Sequence, residues 1–238
     1  MFQFTIESTV LALTLVTTLT ASAALAETRS FDLSGFEGVS AAEGITVQIS
    51  IGSAFEVIAE SEDDRLLDYI SLDVSRGVLV AEMDDGLFVP NWVTGDKVDV
   101  RVIMPALVQT EVLSGARIVA EMMSGSDLDV TVSSGASLVI DAVEAGAMHV
   151  DVASGANVKI ADGRCESLSA EVAGGSSLDM EDVICADVDI NASSVSTASV
   201  YADQTLGAVA SSGARILVFG AQEETKTSSS GSGTVVTH

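Results

Sequence analysis

Apolar and polar residues alternate along most of the chain, and the alternation restarts at regular intervals. Between Ser114 and Val143 the sequence reads SGARIVAEMMSGSDLDVTVSSGASLVIDAV, in which Ser-Gly and a small residue precede strips where every second residue is apolar. Alternate side chains of a β-strand point to opposite faces, so a period of two predicts strands with one apolar face. The pattern therefore indicates β-structure rather than helices.

The small-residue positions recur with a fixed long period, and we refer to them as corners. The first four steps between corners are 20 residues and the last two are 18. The corners stand at Gly115, Gly135, Gly155, Gly175, Val195, Gly213 and Gly231. Equivalent positions in successive repeats are apolar, as at Leu138, Val158 and Leu178. This repeat predicts an all-β fold, a parallel β-solenoid (β-helix) with coils of about 20 residues.

The predicted stacking explains the composition of the corners. Successive coils should rise by about 4.8 Å, so that the apolar columns become continuous inside the solenoid. Glycine suits a corner because the chain turns there with a positive φ, which other residues rarely adopt. Val195 interrupts the glycine series, but its neighbours ASSVST remain small.

Two cysteines stand one coil apart. Cys165 and Cys185 are each ten residues beyond their corners, Gly155 and Gly175. Stacked neighbours would have Cα atoms about 5 Å apart, within the range of a disulfide. In an oxidising compartment we expect the two residues to be bonded; the alternative is a pair of stacked free thiols.

The segments around the regular repeats differ in pattern. Residues 27–110 lack the long period but remain strand-like, and we expect irregular leading coils that form a β-rich N-terminal cap. Residues 111–220 hold the regular repeats, and 221–238 are a polar tail with a final strand. SEDDRLLDYI is the one helical candidate, with Ser61 as its cap. No Pro/Gly-rich linker interrupts residues 27–238, so we predict a single domain.

Residues 1–26 read as a signal peptide. An apolar run from Val10 to Leu19 is followed by small residues that end with Ala24-Leu25-Ala26, the pattern that signal peptidase cleaves. We expect an extracytoplasmic protein with no transmembrane segment after cleavage. Periplasm and cell surface are both open at this point, as is the oligomeric state.

The charge restricts the class of partner. The chain has a formal net charge of −25 at pH 7. Nucleic acids and anionic lipid surfaces bind through Lys and Arg, so neither is an expected partner. The acidic faces could instead collect a divalent cation such as calcium, or serve only solubility. No other cofactor is predicted.

Several stretches resemble a known family. The order RSFDLSGFEGVSAAEGITVQISIG, DDRLLDYISLDVSRGVLVAEM, VRVIMPALVQTEVLSGARI, followed by repeated Ser-Gly corners, is similar to the "putative auto-transporter adhesin" head family, also called the GIN domain. The resemblance runs from about Ser30 to the C-terminus. It implies a right-handed, single-stranded β-solenoid in the bacterial cell envelope with an adhesive role. It supplies no catalytic residues.

Catalysis is the main alternative, because parallel β-helices also carry polysaccharide lyases and hydrolases. Asp127/Asp129 and Asp187/Asp189 are outward pairs, but they lie three coils, or about 14 Å, apart. His149 falls in an outward column next to Asp129 and reads as a lone exposed histidine. We therefore predict no catalytic, cofactor-binding or metal-binding residues, since such sites need convergent groups.

One aromatic stretch has two interpretations. DGLFVPNWVTG contains Phe88 and the only tryptophan, Trp92. An exposed aromatic ring can dock against the apolar C–H groups of a sugar. The alternative is that both side chains plug the wide end of the solenoid.

The sequence as a whole favours a secreted, non-enzymatic interaction module of the cell envelope or surface, of the adhesin type. Its expected ligand is a polysaccharide or a protein surface. A carbohydrate-active β-helix enzyme and a structural periplasmic spacer are the alternatives.

Overall fold

The structure is a computed structural model that describes residues 27–84 and 97–238. About two thirds of these residues lie in β-strands. The predicted signal peptide and the Phe88–Trp92 stretch lie outside the described residues.

The described chain contains seventeen strands and one turn of 3-10 helix, Asp64–Asp68. In chain order the strands are β1 (Glu27–Phe31), β2 (Gly38–Ala41), β3 (Thr46–Ile51), β4 (Glu56–Ser61), β5 (Ile70–Ser75), β6 (Val78–Met83), β7 (Val98–Met104), β8 (Gln109–Val112), β9 (Arg117–Val132), β10 (Ser137–Val152), β11 (Asn157–Ile160), β12 (Gly163–Val172), β13 (Ser177–Ala192), β14 (Thr197–Ser211), β15 (Arg215–Phe219), β16 (Glu224–Ser230) and β17 (Thr234–Thr237).

Each long strand contributes to two faces of a parallel β-solenoid. One face, which we call the first face, is a parallel stack of short strands and of the N-terminal parts of the long strands. It consists of β11, β15, β17 and the N-terminal parts of β9, β10, β13 and β14. The C-terminal parts pair with one another, β8, β12 and β16, and we call this the second face. The predicted parallel β-solenoid is confirmed.

The predicted apolar columns form the core. Leu138 pairs with Val158 and Val158 with Leu178. Their exposed fractions are 1%, 3% and 1%. Buried apolar residues from Phe36 to Val218 belong to one continuous cluster. Because each coil covers the apolar side chains of the next, the core grows with the number of coils.

Both central residues of a corner, and not only the glycine, have a positive φ. Ser134 and Gly135 both have positive φ, 57° and 72°. The Ala136 N–H donates to the Ser133 carbonyl at 3.2 Å, which closes a type I′ turn. The Gly135 N–H donates to the Ser154 carbonyl in the next coil at 3.0 Å. Corners are therefore hydrogen-bonded to one another along the solenoid axis.

The leading segment does not stack in chain order. One regular coil, β2 and β3 joined by a corner at Glu43-Gly44, pairs with β8 and β9. On its other side it pairs with β6 and β7, which come later in the chain. Strands β1, β4 and β5 add antiparallel edges. The cap is therefore β-rich and irregular, as expected, and it combines one regular coil with antiparallel strands.

The helical candidate and the C-terminal tail also differ from expectation. Asp63, not Ser61, caps the helical turn, and its carboxylate accepts the Arg65 N–H at 3.1 Å. Leu66 and Leu67 of this turn are buried. Strands β16 and β17, joined at Gly231-Ser232, form a further coil on β14 and β15, so the polar tail contains a second strand before the expected final one.

Val195 provides a test of the corner geometry. It is 73% exposed and has a φ of 62°, a conformation that costs an L-residue roughly 1–2 kcal/mol and glycine almost nothing. We expect Val195→Gly to raise the melting temperature by roughly 2–4 °C, measured by differential scanning calorimetry.

The matched control is Val209→Gly. Val209 is 41% exposed but lies inside β14, where glycine costs roughly 0.5–1 kcal/mol and should lower the melting temperature. A decrease of similar size in both variants would contradict the corner geometry.

Candidate functional site

The outward side chains of the second face form two straight columns. Ser167, Asp187, Thr205 and Glu224 are successive partners in the first column. His149, Ser169, Asp189, Gly207 and Lys226 are successive partners in the second. Neighbouring residues within a column are separated by one coil, or about 4.8 Å, and the two columns by two residues of strand, about 6.6 Å.

These two columns line a concave groove of about 550 Å³. The groove crosses five strands, β10, β12, β13, β14 and β16. Carboxylates and hydroxyls line the groove. The strand residues between the two columns, Leu168, Val188 and Leu206, also contribute to its lining.

One residue that lines the groove, Gly207, has no side chain. A Cβ at this position would contact the Asp189 carboxylate at 3.5 Å, an ordinary van der Waals distance. Gly207 lies inside β14, and its backbone is not in the left-handed region. The backbone therefore does not require glycine there, and a side chain would project into the groove beside Asp189.

The groove is negatively charged. Asp187, Asp189 and Glu224 line it, with Lys226 at one end. The Thr205 hydroxyl donates to the Asp187 Oδ1 at 2.6 Å, which fixes that carboxylate and leaves its other oxygen for a ligand. The arrangement offers several hydrogen-bond acceptors and a few hydroxyls on a surface open to water.

The predicted outward acids and His149 lie on this face, but they do not converge. Asp129 pairs with His149, as the spacing predicts, and neighbours Gln109 on its other side. The Asp127/Asp129 pair on β9 remains three coils from Asp187/Asp189 on β13. Within residues 27–84 and 97–238, no group of three or more His, Cys, Asp and Glu side chains is arranged to hold a metal ion.

Basic residues of the repeats pair with acids one coil away. Lys159 Nζ lies 2.6 Å from Asp179 Oδ2, and Arg164 lies 3.0 Å from Glu144. The hydrogen bond that Lys159 donates to the Asp179 carboxylate raises the pKa of Lys159. A raised lysine pKa stabilises the fold below the unfolded-state pKa, and this is lost only as the pH rises past the folded-state value. The Lys159 ammonium group therefore stays charged at neutral pH.

The groove contains residues that the sequence did not single out. Thr205, Gly207, Glu224 and Lys226 lie in the two final, 18-residue repeats, where the pairing of β13 with β14 shifts between Met180 and Ile184 and between Cys185 and Asp187. Because of this shift, the 20-residue period does not predict which residues of the last two coils belong to the two columns. The corner at Gly231 is the sequence feature that indicates the last coil.

Comparison with known families identifies the fold. The family described as "Putative auto-transporter adhesin, head GIN domain" matches residues 35–222. The chain belongs to this family. None of the curated proteins compared with this GIN-domain chain matches it.

Solved structures have the same fold. A "putative adhesin" from Bacteroides fragilis NCTC 9343 is 15% identical, with a TM-score of 0.78 over 90% of this chain and 97% of that chain. A "putative lipid binding protein" from Parabacteroides distasonis ATCC 8503 is 16% identical, with a TM-score of 0.68 over 90% and 96%. A "putative adhesin" from Parabacteroides merdae ATCC 43184 is 15% identical, with a TM-score of 0.68 over 90% and 96%. At these identities the likeness concerns the fold alone.

The GIN-domain chain has no helix, within its described ranges, that is long and apolar enough to cross a membrane.

The aromatic docking site at Phe88 and Trp92 lies outside those ranges and stays a prediction. Replacing Trp92 with Ala would test it, since loss of binding without a change in melting temperature favours docking.

The two cysteines are paired across neighbouring coils. Cys165 on β12 is the direct partner of Cys185 on β13, with Cα atoms 4.5 Å apart and a disulfide between them. Cys165 is 6% exposed and Cys185 is fully buried. The bond joins two coils from inside the solenoid.

We expect the purified protein to contain this disulfide. Alkylation without reductant should leave the intact mass unchanged, and the double variant Cys165→Ala/Cys185→Ala should lose about 3 kcal/mol of unfolding free energy, the loop-closure term for 20 residues. Two alkylatable thiols in the native, unreduced protein would contradict the pairing.

Proposed function

We propose that this GIN-domain protein is a secreted, non-catalytic interaction module of the bacterial cell envelope that binds polysaccharide in the adhesin manner. The observation that carries the proposal is the groove on the second face, with its two columns of exposed polar side chains. A polysaccharide presents rows of hydroxyl groups, which donate to carboxylates and exchange hydrogen bonds with serine and threonine. A rigid stack of coils holds these partners at fixed spacing.

The groove supports binding better than hydrolysis. Glycosidases use two carboxylates that flank the scissile bond, one of them an acid in a sheltered environment. Asp187 and Asp189 are instead exposed neighbours on one strand, and Glu224 is two coils, or about 10 Å, from Asp187. An open groove of this kind suits a long ligand that is bound without being cleaved.

The relatives support a binding role, and the groove chemistry favours sugar over lipid. Two of the similar structures are described as adhesins and one as a lipid-binding protein. A site for acyl chains is lined mainly by apolar side chains. The outward side chains of the groove are mostly hydroxyls, carboxylates and one ammonium group.

The proposal places the mature chain outside the cytoplasm. The signal-like residues 1–26 would be removed, leaving residues 27–238 as one unit. A disulfide between coils is typical of oxidising compartments. Divalent cations such as calcium act here as optional counter-ions of the acidic faces, not as a resident cofactor.

A glycan array tests the proposal. The mature chain is applied with calcium and with a chelator, and we expect binding to a subset of polysaccharides in at least one condition. Asp187→Asn/Asp189→Asn should weaken that binding by about tenfold or more, because each charge-assisted hydrogen bond contributes about 1.5–3 kcal/mol.

The matched control removes two exposed acids outside the groove, Asp141→Asn/Glu181→Gln, and should leave binding unchanged. Absence of binding to any glycan, both with calcium and with the chelator, would contradict the proposal. Release of new reducing ends from a bound polysaccharide would favour the enzyme alternative instead.

A further inference from the structure

The repeat of the groove matches the repeat of an extended sugar chain. Outward side chains recur at each coil, a rise of about 4.8 Å, over five successive strands. One pyranose ring adds a similar length to an extended glycan. A polysaccharide that lies across the strands, along the solenoid axis, therefore meets outward residues of the two columns at each ring, although the residue type differs from coil to coil.

Charge narrows the class of sugar. Three carboxylates, Asp187, Asp189 and Glu224, line the groove against a single Lys226, in a chain of net charge −25. This field repels uronic acids and sulfated sugars and attracts cations. Ammonium groups on a sugar chain would form charge-assisted hydrogen bonds with these carboxylates.

Gly207 marks the place of closest approach. Glycine in the interior of a strand weakens it, and it commonly marks a site where a ligand or another chain approaches closely. A side chain at this position would extend over the floor of the groove beside Asp189, whose carboxylate lies 3.5 Å from the Cβ position. The missing side chain gives a ring direct access to Asp189 between Ser169 and Lys226.

We propose that the second-face groove binds a chain of unacetylated amino sugars, one ring per coil, with one ammonium group between Asp187 and Asp189 of β13 and another at Glu224 of β16. This proposal rests on the proposed polysaccharide-binding function and names its ligand class. The neighbouring hydroxyls of Ser167, Ser169 and Thr205 serve the hydroxyl groups of the same rings.

The test is calorimetric titration of the mature chain with glucosamine oligomers of increasing length. Affinity should increase with each added ring until the five strands of the groove are covered. The matched N-acetylglucosamine oligomers, which carry no charge, should bind at least about tenfold more weakly, the loss expected for one charge-assisted hydrogen bond. Oligolysine of equal charge serves as the control for a purely electrostatic response.

Gly207→Val locates the site. The β-branched side chain suits a strand, so the melting temperature should be unchanged or higher. Glucosamine oligomers should lose at least about tenfold in affinity, which corresponds to 1.4 kcal/mol. Ser199→Val, in the first-face part of the same strand β14, should bind as the wild type does.

The outcomes separate this inference from the function on which it rests. Equal affinity for the acetylated oligomers or for oligolysine would overturn it, as would unaltered binding in Gly207→Val. If the chain binds other glycans but not glucosamine oligomers, the amino-sugar inference fails and the polysaccharide-binding function stands. If it binds no glycan at all, both fail.

Discussion

The parallel, in-register stacking of one coil on the next is the constraint on which the structure depends. Leu138 lies on Val158 and Val158 on Leu178, so each apolar side chain is buried by its equivalents above and below. The corner amides bond along the same axis, as Gly135 does to Ser154. A coil on its own has no other coil to cover it, and stability is therefore a property of the stack.

The same register organises the outer surface. A strand that buries every second residue must expose the others, and stacking aligns those exposed residues into columns. On the second face this alignment places Asp187 beside Thr205, with Ser169, Asp189 and Gly207 in the parallel column. It also brings Cys165 against Cys185 inside the core. The groove and the disulfide are consequences of one geometric rule, and the groove gives the adhesin-type fold a surface on which binding can occur.

The sequence predicts the repeats well because a period of 20 residues leaves a signal at every coil. The columns through Leu138, the Cys165–Cys185 partnership and the Lys159–Asp179 pair all follow from counting. The positive φ of Ser134 does not, because serine carries no marker for that conformation comparable to glycine. The stacking of β6 and β7 on β2 and β3 was also hidden, since non-sequential pairing leaves no period in the chain. The groove was missed because the last two coils shorten to 18 residues, which moves Thr205, Glu224 and Lys226 out of the counted columns.

Cross-linking of paired positions measures the stacking most directly. In a background with Cys165 and Cys185 replaced by Ala, cysteines are introduced at Asn157 and Ser177, which are direct partners on neighbouring strands of the first face. A second variant carries them at Asn157 and Asp179, two residues out of register. The account predicts rapid, near-complete disulfide formation for the first pair under mild oxidation, seen by intact mass, and little for the second. Equal cross-linking of both pairs, or preference for the second, would contradict the in-register stack.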